Sequence, residues 1–177
     1  MKKTILFMVL IVAMLCISSC GLLTAIGQPH GVDREISNER FEILLDKLEA
    51  EDHDGLKLLF AESAKQTEDF DEWLSVLVNY YKGNSYNYED DGRIGVSTTN
   101  KYGTKKITYT DSFVVYTTEE TYRIYLIDIV RNDFDENECG ISSLYIIKYD
   151  LFDYSEIAYS GDGKETPGIH IAKTREN

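Results

Sequence analysis

Apolar residues recur along this chain at two different periods, and the change of period divides it. From residue 33 to residue 82 the spacing is helical. Phe41, Leu44, Leu45 and Leu48 follow i, i+3, i+4, i+7, with Glu42, Asp46, Lys47 and Glu49 on the other side. A second, shorter helix carries Leu56, Leu59 and Phe60, with Asp52 or Asp54 as its cap and Gly55 near its start. A third puts Phe70, Trp73, Leu74, Leu77, Val78 and Tyr81 on one stripe. Asp69 with Glu72 three residues on has the capping-box pattern, and Gly83 stands where a C-terminal cap belongs.

Beyond Gly83 the period shortens and Thr, Ile, Val and Tyr take over, as strands prefer. The pattern predicts strands over 84–88, 92–99, 105–117, 121–132 and 140–150, with a short one at 169–172. Turn signals separate them at Asp91-Gly92, Tyr102-Gly103, Glu119-Glu120 and from Asn132 to Asn137. Connectors this short predict an antiparallel meander. Asp111-Ser112, in the middle of one run, reads as a bulge or bend. Three helices followed by a curved antiparallel sheet give an α+β domain over residues 34–177, ending in a polar tail.

The N-terminus follows different rules. Lys2 and Lys3 precede an uninterrupted apolar run from Ile5 to Ile17. That is shorter than the roughly 20 residues that span a bilayer and has the length of a signal-peptide core. Ile17-Ser18-Ser19-Cys20-Gly21 then has the form of a bacterial lipobox. The small residues fit a peptidase's narrow pockets, and the cysteine sulfur accepts the lipid. Residues 1–19 are expected to leave as a lipoprotein signal peptide, with membrane attachment through lipid on Cys20. Residues 20–33, with Gly21, Gly27, Pro29 and Gly31, read as a tether of about 40 Å when extended. Cys16 leaves with the signal and Cys20 carries lipid, so Cys139 has no partner for an intrachain disulfide.

Composition narrows the partners. Hydrophobic residues make up 43% and charged residues 28%, which fits a globular domain. The formal net charge of -13 disfavours nucleic acid, which needs a basic face, and disfavours docking on anionic lipid through basic patches.

Residues from about 35 to 172 resemble a bacterial lipoprotein family known as domain-of-unknown-function family 5104. The resemblance rests on Asp52-His53-Asp54-Gly55-Leu56-Lys57-Leu58-Leu59-Phe60, Phe70-Asp71-Glu72, Gly140-Ile141 and Pro167-Gly168-Ile169. It implies a lipoprotein with the cone-shaped NTF2-like fold, and no particular activity. In that fold a short strand stands between the second and third helices, for which Glu62–Asp69 leaves little room.

Enzymes of the NTF2-like class place an acid or a histidine inside the cone. The candidate here is Asp128, on a strand face with Tyr122, Ile124, Leu126 and Val130. Burial would raise its pKa and suit it to acid or base work; a solvated or paired carboxylate near a strand end is the structural alternative. Asp133-Phe134-Asp135-Glu136-Asn137 resembles the start of a calcium loop, but Glu138 and Leu144 stand where that loop needs Gly and Glu, so no metal is expected. His30, His53 and His170 form no ligand or nucleophile motif, and no cofactor is implied. All 13 tyrosines lie at or beyond position 80. Tyr109, Tyr122, Tyr125 and Tyr145 are the candidate binding residues, since Tyr supplies rigid amphipathic contact area, though Tyr also favours half-buried strands. The expectation is a lipid-anchored, non-catalytic envelope module binding an extracellular protein or a small molecule. An NTF2-like isomerase or hydrolase using Asp128 is one alternative, and an immunity-type surface lipoprotein another.

Overall fold

A computed structural model of the chain describes residues 30–92, 95–151 and 166–171. The lipobox, Cys20 and most of the tether lie outside these residues. The chain divides into two units between Arg34 and Glu35, and the sheet and the helical residues from Glu35 onward belong to the second. Among the described residues there are four α-helices: α1 (His30–Glu49), α2 (His53–Leu58), α3 (Glu62–Lys65) and α4 (Phe70–Tyr80). The strands are β1 (Ser85–Asp90), β2 (Gly95–Lys101), β3 (Thr104–Thr117), β4 (Thr121–Asn132), β5 (Gly140–Lys148) and β6 (Gly168–Ile171). No described helix is long and apolar enough to cross a membrane.

The helical spacing places α1, α2 and α4 where the sequence predicts them. Asp52 caps α2 by accepting from the Gly55 N–H at 2.9 Å. Asp69, by contrast, makes no side-chain cap; it sits in the left-handed region at φ 65°, so the expected capping box is not formed. Two boundaries also differ. α1 opens at His30, inside the stretch read as tether, and a one-turn helix, α3, fills the segment after Phe60.

The sheet is mixed. β3, β4 and β5 form the expected antiparallel meander, in the order β1-β3-β4-β5-β6, and β2 also pairs with β3. β1 and β2 take successive halves of the same edge of β3, at 113–117 and 104–110. The exception to the meander is β6, which runs parallel to β5. A parallel return needs a long connection, and the stretch from 149 to 167 supplies it.

Buried side chains of α1 and α4 share one core with β3, β4 and β5. Phe41 stacks on Phe113 with centroids 3.8 Å apart, and Leu44, Leu48 and Leu77 pack with Val115, Ile124 and Leu144. β4 is buried on both faces, since Arg123, Ile127 and Ile129 are buried as well as Ile124 and Leu126. Two register shifts interrupt its ladders, at Ile107/Thr108 toward β3 and at Ile127/Asp128 toward β5. Asp111-Ser112 lies in unbroken register opposite Leu126 and Tyr125, so the bulge expected there is absent. The irregularities flank Asp128 instead.

Gly140 shows why a Gly-Ile pair opens β5. Ile141 exchanges hydrogen bonds with the chain after α2, donating to Leu59 at 2.8 Å and accepting from Ala61 at 3.0 Å. Gly140 has φ +137°, and a Cβ there would stand 2.8 Å from the Ala61 nitrogen and 2.9 Å from the Leu59 oxygen, both backbone atoms. Gly140→Ala is expected to lower unfolding free energy by about 1–3 kcal/mol, read by urea titration. An unchanged midpoint would show that the strand start yields without cost.

Candidate functional site

The same-face period of β3 places Ile107, Tyr109, Asp111, Phe113 and Val115 toward the helices, and that of β4 places Ile124, Leu126 and Asp128 there. Tyr109 pairs with Asp128 and Asp111 with Leu126, so the two aspartates are diagonal neighbours on adjacent strands. Both are buried, at 2% and 1% exposure. α1 lies against them and brings Ser37 and Arg40, one turn apart. Arg40 forms an ion pair with Asp128 through Nη1 and Oδ1. The Ser37 hydroxyl donates to Asp111 at 3.0 Å.

Electrostatics make this cluster costly. Burial pushes the Asp128 carboxyl above the usual range, Arg40 and Ser37 pull it back, and Asp111 pushes it up again. Ser37 has one hydroxyl proton for two carboxylates. It goes to Asp111, and Asp128 Oδ2 has no hydrogen-bond partner among the described residues. A protonated Asp128 is a competent acid in principle. At 1% exposure, however, no solute reaches it unless α1 moves. Of the expectations for Asp128, burial holds, and so does the alternative's pairing with a basic residue, here Arg40; solvation does not. Asp111 and the helix pair Ser37 and Arg40 complete the cluster. The signal for Asp111 is its place on an otherwise apolar strand face, and nothing local marks Ser37 or Arg40.

The four tyrosines expected to bind do not form one surface. Tyr109 and Tyr122 are buried on the helix side. Tyr122 donates to the Tyr80 carbonyl at 2.9 Å and accepts from the Lys82 N–H at 2.8 Å, which fastens the end of α4, and burial pushes its pKa up to about 12. Tyr125 and Tyr145 lie on the other face, edge to face at 5.7 Å, and His170 stacks on Tyr145 at 4.4 Å. The physical reason is that β4 and β5 carry buried side chains on both faces, so these rings serve packing. The exposed tyrosine nearest a turn is Tyr102.

The outer face of the sheet carries a groove of about 440 Å³. Its floor is Ile127 and Ile129. Its walls are the hydroxyls of Ser97, Thr99, Thr108, Thr110, Ser142 and Ser143, with Lys106 and Pro167 at the rim. Ser143 donates to the Thr166 carbonyl at 2.7 Å and Ser142 to the Ile127 carbonyl at 3.2 Å. A second cleft, of about 640 Å³, lies between α1 and β1, where Glu42 and Asp46 face Ser85 to Tyr88. There three of the polar side chains are already engaged: Tyr88 donates to Glu42 at 2.9 Å, and Ser85 to Glu49.

The acidic turn after β4 is also spent on the protein itself. Asp133 takes Arg131 through both oxygens at 2.7 Å and the Lys105 N–H at 3.0 Å, and Asp135 accepts from the Asn137 N–H. Glu138 reaches across to Ser63 at the start of α3. Cys139 is half-buried and free. His53 faces the Glu51 carbonyl at 3.1 Å.

A family model described as "Domain of unknown function (DUF5104)" matches residues 43–149. No curated protein matches the chain. The matched segment holds Asp111 and Asp128 but begins just after Ser37 and Arg40.

Arg40→Ala leaves the Asp128 charge buried without its partner and is expected to cost about 3 kcal/mol of stability. Asp128→Asn in the same chain should recover much of that loss, so a double-mutant cycle should show strong coupling. The pH dependence has a definite sign. The folded carboxyl of Asp128 holds its proton to higher pH than the unfolded one, so this group's contribution to stability falls as pH rises through that interval. The unfolding free energy of Asp128→Asn, minus that of the native chain, should therefore grow from about pH 4 upward. A flat difference would mean that the carboxylate is ionised at no cost.

Proposed function

The chain belongs to the DUF5104 family, and from that premise we propose that it is a lipid-anchored, extracytoplasmic binding module rather than an enzyme. The lipobox at Ile17–Gly21 supports the anchoring. Helices α1 and α4 sharing one core with the inner face of the sheet support an NTF2-like reading of the fold. The observation that carries the functional reading is the contrast between the two faces. The carboxylates of the inner face are buried beneath α1, Asp128 paired with Arg40 and Asp111 bonded by Ser37. The outer groove is open, lined by hydroxyls over an aliphatic floor, and has no carboxylate in its lining. Such a lining suits recognition of a ligand with apolar and hydrogen-bonding portions.

Two measurements test this. Cys20→Ala should move the protein from the membrane fraction to the soluble fraction; persistence in the membrane would remove the anchor. Native mass spectrometry of the full chain in detergent, after incubation with envelope extract, should show a small-molecule adduct. Thr108→Trp, which fills the groove, should abolish it. An adduct that survives the filled groove, or none with the native chain, would refute the groove reading.

A further inference from the structure

Among the described residues the sheet ends in three edges, and two are protected. β6 is four residues long. β1 has a register shift between Ser85 and Asn87 and ends in Glu89-Asp90, a bulge and charges of the kind that block strand addition. β2 has no bulge, and its one charge, Lys101, stands at its last residue. It runs seven residues in unbroken register with β3, from Gly95 opposite Thr110 to Lys101 opposite Thr104. Its sequence, Gly-Val-Ser-Thr-Thr-Asn-Lys, holds no proline and no acid, and every residue after Gly95 is exposed. Every second residue turns its N–H and C=O away from β3 and toward solvent.

The charge around this edge is unlike the rest of the chain. From Gly95 to Thr110 there are three lysines, Lys101, Lys105 and Lys106, and no Asp or Glu. None of the three forms an ion pair with a described residue, whereas four lysines elsewhere do, as in Lys47–Asp52, Lys57–Asp71 and Lys148–Glu120. The net acidity of the chain therefore conceals a local basic patch. Asp133, which accepts from the Lys105 backbone N–H, already has its charge matched by Arg131. The rest of the acidic turn follows β4, which pairs with the opposite edge of β3. At the hairpin tip Tyr102 is 97% exposed with φ 54°, a conformation that a bulky residue adopts only at a cost.

We propose that β2 is a docking edge to which an extended acidic peptide segment of a partner protein adds as a further strand. Main-chain hydrogen bonds to β2 would supply the affinity. Lys101, Lys105 and Lys106 would select acidic side chains, and Tyr102 would cover the end of the added strand. A second copy of this chain fits the edge less well, because pairing β2 with itself gathers six lysines from two already like-charged molecules. The inference rests on strand topology and charge, independently of the groove.

The test uses the full chain in detergent with two eight-residue peptides, one alternating Glu with Val and the other Lys with Val. The Glu peptide should bind at least tenfold tighter by fluorescence anisotropy, weaken as salt rises, and protect β2 amides from hydrogen exchange. An N-methylated Glu peptide, which lacks the donors, should fail to bind. Lys101→Glu with Lys105→Glu should reverse the preference while leaving the thermal midpoint near that of the native chain. Equal binding of both peptides, or no protection in β2, overturns the proposal. So does β2 protection that appears without peptide and tracks dimer formation by light scattering, which assigns the edge to a second copy.

Discussion

The hold of α1 on the inner face of the sheet depends on one buried ion pair. Arg40 reaches Asp128 between two ladder irregularities, and Ser37 reaches Asp111 one strand away. Removing Arg40 leaves the Asp128 charge in a low-dielectric interior, so the pair fixes the helix more by the cost of breaking it than by the gain of forming it. Phe41, directly after Arg40, is set by the same geometry onto Phe113. An apolar core tolerates sliding by a fraction of a turn. A guanidinium that must meet one carboxylate does not.

That arrangement makes the two faces chemically different. The inner face spends its carboxylates and most of its tyrosine hydroxyls on internal bonds. The outer face leaves hydroxyls and an ammonium group around a groove, and the β2 edge beside it leaves backbone groups unpaired. Ser97 and Thr99 take part in both features, because alternate residues of an edge strand face the groove while its backbone faces outward.

Much of this was legible in one dimension. The stripe Phe41, Leu44, Leu48 and the alternation in β3 and β4 report local periodicity, which survives tertiary folding because each element buries one side first. The boundaries of β3 and β4 followed from residues that favour strands and from the turns between them. The segments that misled were those decided by distant contacts. Nothing near Glu62 signals a helical turn, since α3 is fastened by Glu138, far along the chain. The direction of β6 depends on the route of the connection before it, which no short pattern encodes.

The sequence by itself determined the element types, the change from helical to strand period at Gly83, the apolar inner faces and the candidacy of Asp128. These are properties of neighbouring residues and of backbone geometry. Only the tertiary structure decided that Asp128 is sealed rather than solvated, that Asp111 joins it, and that Ser37 and Arg40 are their partners. It also decided that the tyrosines are divided between two faces and that β2 is left as an open edge. Each of these depends on which residues distant in sequence become neighbours, and the energy of a buried charge or an unpaired edge is set by that neighbourhood rather than by the residue.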